Sequence, residues 1–306
     1  MSDPAFIAVD WGTTRMRVWL VDAAGRPLAE RRSDEGMLTA ASTGFANVLN
    51  RHLADMHAPA GLSAIVCGMA GARQGWIEAP YVDTPALLAD VQAGAIRVPD
   101  QLRDTRIVPG IAQRDPQSPD VMRGEETQLA GIAALRGPGK HLVCMPGTHS
   151  KWVQIVDGRV IGFGTWMTGE LFSVIARETV LKHSVGGGAL AVSPQNAAFA
   201  DAVAASLANP GSVTARLFGL RAGGLLFKAS SEDAAASLSG LLIGAEIAGA
   251  IERFGKPKTA VLVGSGLMYA LYEAALGVAG VSVVQADADD AVRAGLFEAA
   301  KRCGFV

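Results

Sequence analysis

The chain is poor in the residues that would announce a metal centre, a nucleic-acid surface or export. Its three cysteines, Cys67, Cys144 and Cys303, are too widely separated to form a metal-ligand set or a disulfide framework. The first two lie in apolar stretches that read as buried strands, so a reduced, cytoplasmic setting is expected. Charged residues make up only 18% of the 306, the formal net charge is −2, and no Lys/Arg run stands out. An electrostatic footprint for nucleic acid is therefore missing. The opening Met-Ser-Asp-Pro has no basic segment ahead of an apolar one, and the long apolar stretch around Leu241 is interrupted by Glu246. Neither secretion nor membrane insertion is expected. The expected partner is a small molecule, and oligomeric state is left open, with a homodimer as one option.

What the chain does contain is one unusual segment twice. FIAVDWGTTRMRVWLVDAAGRPLAE runs from Phe6 to Glu30, and LVCMPGTHSKWVQIVDGRVIGF runs from Leu142 to Phe163. Aligned on Gly12-Thr13 and Gly147-Thr148, the copies also match at Val18/Val153, Val21/Val156 and Asp22/Asp157, and each then turns through Gly-Arg. Each reads as an apolar strand, a Gly-Thr loop, an alternating strand, a tight turn and a third strand. Gly-Thr turns let backbone N–H groups and hydroxyls approach anionic oxygens closely. Two such hairpins could grip a polyphosphate from two sides. With half its residues hydrophobic, the chain is long enough for two cores. The polar stretch Gln113 to Pro119 is the expected boundary, giving domains 1–115 and 116–306 with the final helix packing back on the first.

The periodicity predicts helices over Phe45 to His57, Met122 to about Leu135, Leu171 to His183, Gln195 to Leu207, Asp233 to Phe254 and Leu267 to Leu276, and a last one from near Asp289. Asp10 stands at the tip of the first strand, where an acid could hold Mg²⁺ or its waters while Gly12, Thr13 and Thr14 contact phosphate. The second copy has Met145 at the equivalent place. Gly147, Thr148, His149 and Ser150 could still bind phosphate, but a catalytic base must come from elsewhere. Glu125, after Gly124 at a helix start, is the candidate; Glu125 and Glu126 read equally as ordinary acidic residues of a first helical turn. Gly264-Ser265-Gly266, between a strand and a helix, could admit an adenine or ribose close to the backbone, or serve only as a tight turn. His52, His57, His141 and His183 carry no constellation and read as surface or capping residues.

In order, DWGTTRMRVW, the Gly124-Glu125 helix start, CMPGTHSKW and VLVGSGLMYALYEAAL resemble the phosphate-one, connecting-helix, phosphate-two and adenosine motifs of the sugar-kinase, heat-shock-protein and actin superfamily. More closely, GMAGARQGWIEAPY, MRGEETQLAGI, PGTHSKWV and MTGELF look like the 2-dehydro-3-deoxygalactonokinase family, over nearly the whole chain. The resemblance implies an α/β protein of two ribonuclease-H-like domains with mixed five-stranded sheets and an interdomain cleft. It implies transfer of phosphate from ATP, with Mg²⁺, to the C6 hydroxyl of 2-dehydro-3-deoxy-D-galactonate in galactose catabolism. Related carbohydrate kinases carry an Asp base where this chain has Glu125, with Glu126 and Asp120 as fallbacks. A 2-oxo acid brings a carboxylate, for which Arg73 is the first choice because guanidinium binds carboxylate through two parallel hydrogen bonds. Gln74 and Trp76 would complete that wall, one or both of Arg15 and Arg17 could reach the cleft, and Glu170 could accept from substrate hydroxyls. A kinase for an epimer such as 2-dehydro-3-deoxygluconate, and a non-catalytic actin-like or sugar-sensing regulator, are the rival readings.

Overall fold

A computed structural model describes residues 3–99, 102–186 and 192–306. The chain opens with strands β1 (Pro4–Trp11), β2 (Met16–Asp22) and β3 (Pro27–Ser33), then helices α1 (Met37–Thr43) and α2 (Phe45–Asp55) and strand β4 (Ala64–Gly68). Short elements follow: β5 (Val82–Asp83), β6 (Ala86–Leu87), α3 (Leu88–Ala93), β7 (Ile96–Arg97), β8 (Thr105–Ile107), β9 (Ile111–Gln113) and β10 (Asp120–Met122). Helices α4 (Glu125–Gly131) and α5 (Ala133–Arg136) lead to strands β11 (Lys140–Met145), β12 (Ser150–Val156) and β13 (Arg159–Trp166). The remainder is mostly helical: α6 (Thr168–Glu178), α7 (Lys182–Val185), α8 (Ala197–Ala208), α9 (Val213–Phe227), α10 (Ser231–Phe254), β14 (Thr259–Val263), α11 (Gly266–Val278), β15 (Ser282–Ala286) and α12 (Ala288–Arg302).

The repeat read in the sequence is realised as one strand order used twice. One sheet runs β3-β2-β1-β4-β8 and the other β13-β12-β11-β14-β15, each extended by a two-residue edge strand, β7 or β6. In the first, β1 is antiparallel to β2 and parallel to β4. In the second, β11, β14 and β15 run parallel. A short sheet, β10-β9-β5, completes the set. Two compact units result: residues 1–140, 155–162 and 288–306, and residues 141–154 and 163–287. This division does not fall at the polar stretch 113–119, because α4, beyond it, packs along α12 within the first unit.

That helix pair is in backbone contact. A Cβ on Gly295 of α12 would lie 1.8 Å from the Thr127 carbonyl oxygen, and one on Gly131 of α4 would lie 1.9 Å from that of Ala291. Backbone cannot yield as a flexible side chain does, so even one methyl must push the helices apart. Gly295→Ala is expected to destabilise the protein by about 3 kcal/mol, at the upper end of ordinary overpacking costs, read as a lower thermal midpoint. An unchanged midpoint would mean that α4 and α12 separate at little cost.

The helix predicted from Met122 divides at Ile132, whose ψ of 105° takes the chain out of helix between α4 and α5. The one predicted over Leu171 to His183 begins earlier, at Thr168, and stops at Glu178. There the Thr179 hydroxyl donates to the Ile175 carbonyl at 2.6 Å, a side-chain bond that competes with continuing the helix. Helix α9 escapes the sequence reading because apolar residues and Gly219, Gly223 and Gly224 occur all around it, leaving no amphipathic stripe; none of its residues is buried. Helix α10 is long and apolar enough to cross a membrane by length and composition, but it is mostly buried at the centre of the second core with Phe199, Trp152 and Tyr272.

Candidate functional site

In the first unit, β1 is apolar until its tip, and pairing with β2 sets Asp10 opposite Arg17. Gly12 N–H donates to the Arg15 carbonyl at 2.8 Å, closing the loop into a tight turn. Met37 and Leu38, at the start of α1, donate to the Gly12 and Thr13 carbonyls at 2.9 and 3.1 Å. The loop backbone is thus fastened from below while Thr13 and Thr14 stay exposed. Beside it lies a cavity of about 480 Å³ lined by residues that include Asp10, Gly12, Arg15, Arg17 and Arg32.

Arg17 is the residue the sequence underrated. Its guanidinium donates to Asp10 Oδ2 from Nη2 at 2.6 Å and from Nε at 3.2 Å, and also pairs with Asp289. Arg32 donates to the same Asp289 at 2.7 Å. Burial opposes charge on Asp289, yet hydrogen bonds from Arg32 and Arg17 outweigh it and hold that carboxyl below the usual range. Asp289 lies 272 positions from Arg17 and gave no sequence signal, but counting back across the Gly12 turn would have put Arg17 opposite Asp10. Arg15, more exposed, lies on the lining of the same cavity, 3.6 Å from Asp34. His52 corrects its surface assignment: it is buried and bonded to Glu35 at 2.8 Å.

The connecting helix reaches the same strand tips. Gly124 (φ +105°), its N-cap, faces Gly68 (φ +86°) at the end of β4, and a Cβ on Gly124 would lie 3.5 Å from the Gly68 Cα. Glu125 is partly exposed, with Oε2 accepting from Arg123 N–H at 3.0 Å. Glu126 is fully buried; it accepts from Gly124 N–H at 2.6 Å and from the Thr127 hydroxyl at 3.0 Å. Burial, followed by the charge of Glu125, pushes its carboxyl up to about 8. Cys67 Sγ donates to the other Asp10 oxygen at 3.7 Å, and burial raises its thiol well above the usual value.

In the Gly-rich loop Arg73 and Gln74 are exposed, and Arg73 forms no ion pair with any described residue. Trp76 instead turns inward, its ring 6.0 Å from Trp11 and stacked 5.9 Å from Phe45, where it supports the loop from beneath. Arg123, which the sequence reading missed, ties this loop to the connecting helix: it donates to the Ala79 carbonyl at 2.8 Å and lies 4.4 Å over the Tyr81 ring.

In the second unit, Thr148 and His149 are exposed on the loop between β11 and β12, and His149 Nε2 bonds Glu170 at 2.5 Å. Glu170 N–H donates to the Thr148 carbonyl at 3.0 Å, so this glutamate belongs to the loop's own surroundings. Ser150 is wholly buried and faces away from solvent, which rules it out as a phosphate ligand. Gly264, Ser265 and Gly266 stand at the N-terminus of α11, with Gly264 N–H on the Ala286 carbonyl at 3.0 Å. A largely apolar cavity of about 180 Å³ joins Gly147 and Thr168 to Leu267, Met268 and Tyr272.

A family model described as 2-keto-3-deoxy-galactonokinase matches residues 10–299. The chain is 56% identical over 296 residues to a Rhizobium meliloti (strain 1021) protein carrying the name probable 2-dehydro-3-deoxygalactonokinase DgoK1, covering 97% of this chain and 96% of that one. It is 34% identical to the 2-dehydro-3-deoxygalactonokinase of Escherichia coli (strain K12), covering 95% and 96%. Among solved structures, a Sinorhizobium meliloti protein assigned to the same kinase superposes with a TM-score of 0.94 at 56% identity, covering 97% of this chain and 98% of that one. The activator of 2-hydroxyisocaproyl-CoA dehydratase from Clostridium difficile, at 14% identity and a TM-score of 0.52 over 98% and 96%, shares the fold alone. With a family match spanning almost every element and relatives this similar along their whole length, the chain belongs to the 2-keto-3-deoxy-galactonokinase family.

Proposed function

We propose that this protein is an ATP-dependent 2-dehydro-3-deoxygalactonokinase of the cytoplasm, transferring the γ-phosphoryl group of ATP to the C6 hydroxyl of 2-dehydro-3-deoxy-D-galactonate in galactonate catabolism. The products are ADP and 2-dehydro-3-deoxy-6-phosphogalactonate, and the hydroxyl proton passes to the base. The observation that carries the residue assignment is the asymmetry of the repeat: both units present a Gly-Thr loop, but only the first has a carboxylate, Asp10, on the adjoining strand tip. Phosphoryl transfer asks mainly for positioning and charge neutralisation. Gly12, Thr13 and Thr14 in one unit, and Gly147, Thr148 and His149 in the other, are assigned to phosphate oxygens. The 180 Å³ cavity between Gly147 and the first turn of α11 suits the flat apolar face of adenine, with Gly264 to Gly266 at its edge.

No group of three or more Asp, Glu, His or Cys side chains suited to a metal exists among the described residues. That fits Mg²⁺, which keeps several waters and is held by one or two carboxylates together with substrate phosphates. Asp10 would supply the carboxylate, since Arg17 engages Oδ2 and leaves Oδ1 facing only the weak Cys67 donor. When bound, the ion would neutralise charge on the phosphates during transfer. Glu125 is assigned as the base.

An ADP-release assay across C4-epimeric 2-oxo-3-deoxy sugar acids, with NMR to locate the phosphate, tests the function. Preference for the gluconate-derived epimer would move the assignment to a neighbouring kinase, and absence of ADP with every acid would favour a non-catalytic role. Arg73, exposed in the Gly-rich loop, is assigned to the substrate carboxylate. Arg73→Ala is expected to raise KM for the sugar acid by about 10–100-fold, the loss of one charge-assisted contact of about 1.5–3 kcal/mol, while KM for ATP stays put. A selective ATP defect would put Arg73 on the nucleotide side.

A further inference from the structure

Beneath the second Gly-Thr loop runs a buried chain of polar groups that the assignments above do not use. Glu246, in the middle of α10, is 1% exposed. Its Oε1 accepts from Trp152 Nε1 at 2.8 Å and its Oε2 from the Tyr272 hydroxyl at 2.7 Å. The Tyr272 oxygen lies 2.8 Å from Ser150 Oγ, itself 3.4 Å from both Gly147 N and Gly147 O. Proton accounting gives this chain a direction. The tyrosine's single proton goes to Glu246, so its oxygen accepts from Ser150, and the Ser150 oxygen is left to accept from Gly147 N–H. Thr168, which starts α6, also bonds Glu246. One buried carboxyl therefore gathers β12, α6, α11 and, through two hydroxyls, the loop backbone.

Such a chain is expensive to bury and strong once satisfied. Burial pushes the Glu246 carboxyl up, against hydrogen bonds from Thr168, Tyr272 and Trp152 that favour its ionised form. An apolar side chain would fill the same place in a core already rich in Leu, Ile and Ala at no desolvation cost. What an apolar replacement could not do is hold the Gly147 peptide in one orientation.

We propose that Glu246, Tyr272 and Ser150 are positioning residues that fix the second Gly-Thr loop for nucleotide through their buried hydroxyl and carboxyl contacts, with the Tyr272 ring also in the wall of the apolar cavity. This rests on the reading that the loop holds ATP phosphates. The test measures KM for ATP, KM for the sugar acid, kcat and thermal midpoint for Tyr272→Phe, Ser150→Ala and their double variant, with Thr148→Ala as a marker of the loop. Tyr272→Phe should raise KM for ATP about tenfold, equivalent to about 1.4 kcal/mol, leave KM for the sugar acid within about twofold, and make Ser150→Ala nearly silent in its background. An ATP constant unchanged in Tyr272→Phe while Thr148→Ala is impaired would overturn the proposal alone, as would single effects that multiply in the double variant. If Thr148→Ala and both single variants all bind ATP normally, the loop reading and the proposal fall together. Should Tyr272→Phe not fold, Ser150→Ala and Glu246→Gln must give the same selective ATP defect, and its absence overturns the proposal.

Discussion

Asp10→Asn is expected to lower turnover by about 10²–10³-fold, the loss seen when one preorganised electrostatic stabiliser of a transition state is removed, with a much smaller change in KM for the sugar acid. The substitution keeps the size of the side chain and removes its charge. Asp10 sits where β1 ends, its backbone held between β2 and β4, so a swap of one oxygen for nitrogen leaves the strand pairing in place. The variant does weaken the pair with Arg17, but Arg17 keeps Asp289. That second partner separates two roles. If Asp10 serves only to hold Arg17, Asp10→Asn should lower the thermal midpoint and spare kcat. If it acts on the metal and phosphates, kcat falls while the folded protein survives. A folded variant with near-normal turnover would remove Asp10 from the chemistry.

Glu125→Gln should reduce turnover by about 10²–10⁴-fold, the usual range for losing a general base, while both substrates still bind. The structure narrows the field of bases. Glu126 is fully buried, its carboxyl pushed up to about 8 by burial and by the neighbouring Glu125. Its two oxygens are already engaged, accepting from Gly124 N–H and the Thr127 hydroxyl. Asp120 lies on β10, before the turn into α4, where Oδ1 accepts from Val121 N–H at 2.8 Å. Glu125 remains partly exposed at the start of the helix whose N-cap faces the β4 tip. Retention of more than about a tenth of wild-type turnover, when chemistry limits the rate, would sink the assignment and turn attention to Asp120.

The parts of this molecule that repeat or alternate were legible in the sequence. The duplicated hairpin correctly announced two sheets of one topology because strand identity is written locally, in apolar runs broken by Gly-Thr and Gly-Arg turns. The family motifs carried the chemistry in the same way, as short contiguous words. What the sequence did not show were features decided by tertiary neighbours. Ser150 looked like a phosphate ligand beside Thr148, yet its hydroxyl is claimed by Tyr272, 122 positions away. Trp76, read as part of a substrate wall, is half-buried with its ring stacked on Phe45, a neighbour 31 positions earlier. Helix α9 has no face to recognise, since apolar residues and glycines occur all around it and only Leu217 and Leu220 pack, half-buried, against the core.

The order in which the units close is unusual for a chain made from its N-terminus. Helix α12 supplies the backbone surface on which α4 rests, through Gly295 and Ala291, yet it follows β15, the last strand of the second unit. Domains ordinarily fold as units during synthesis, the N-terminal one first. Here the second unit has all its segments outside the ribosome before the first has its final helix. Until then the surface of α4 that contains Gly131 lacks the Ala291 and Gly295 backbone that covers it. The unit that carries Asp10 and Glu125 is therefore the last to become whole, and a nascent or truncated chain lacking α12 would have a formed second core attached to an unfinished first one.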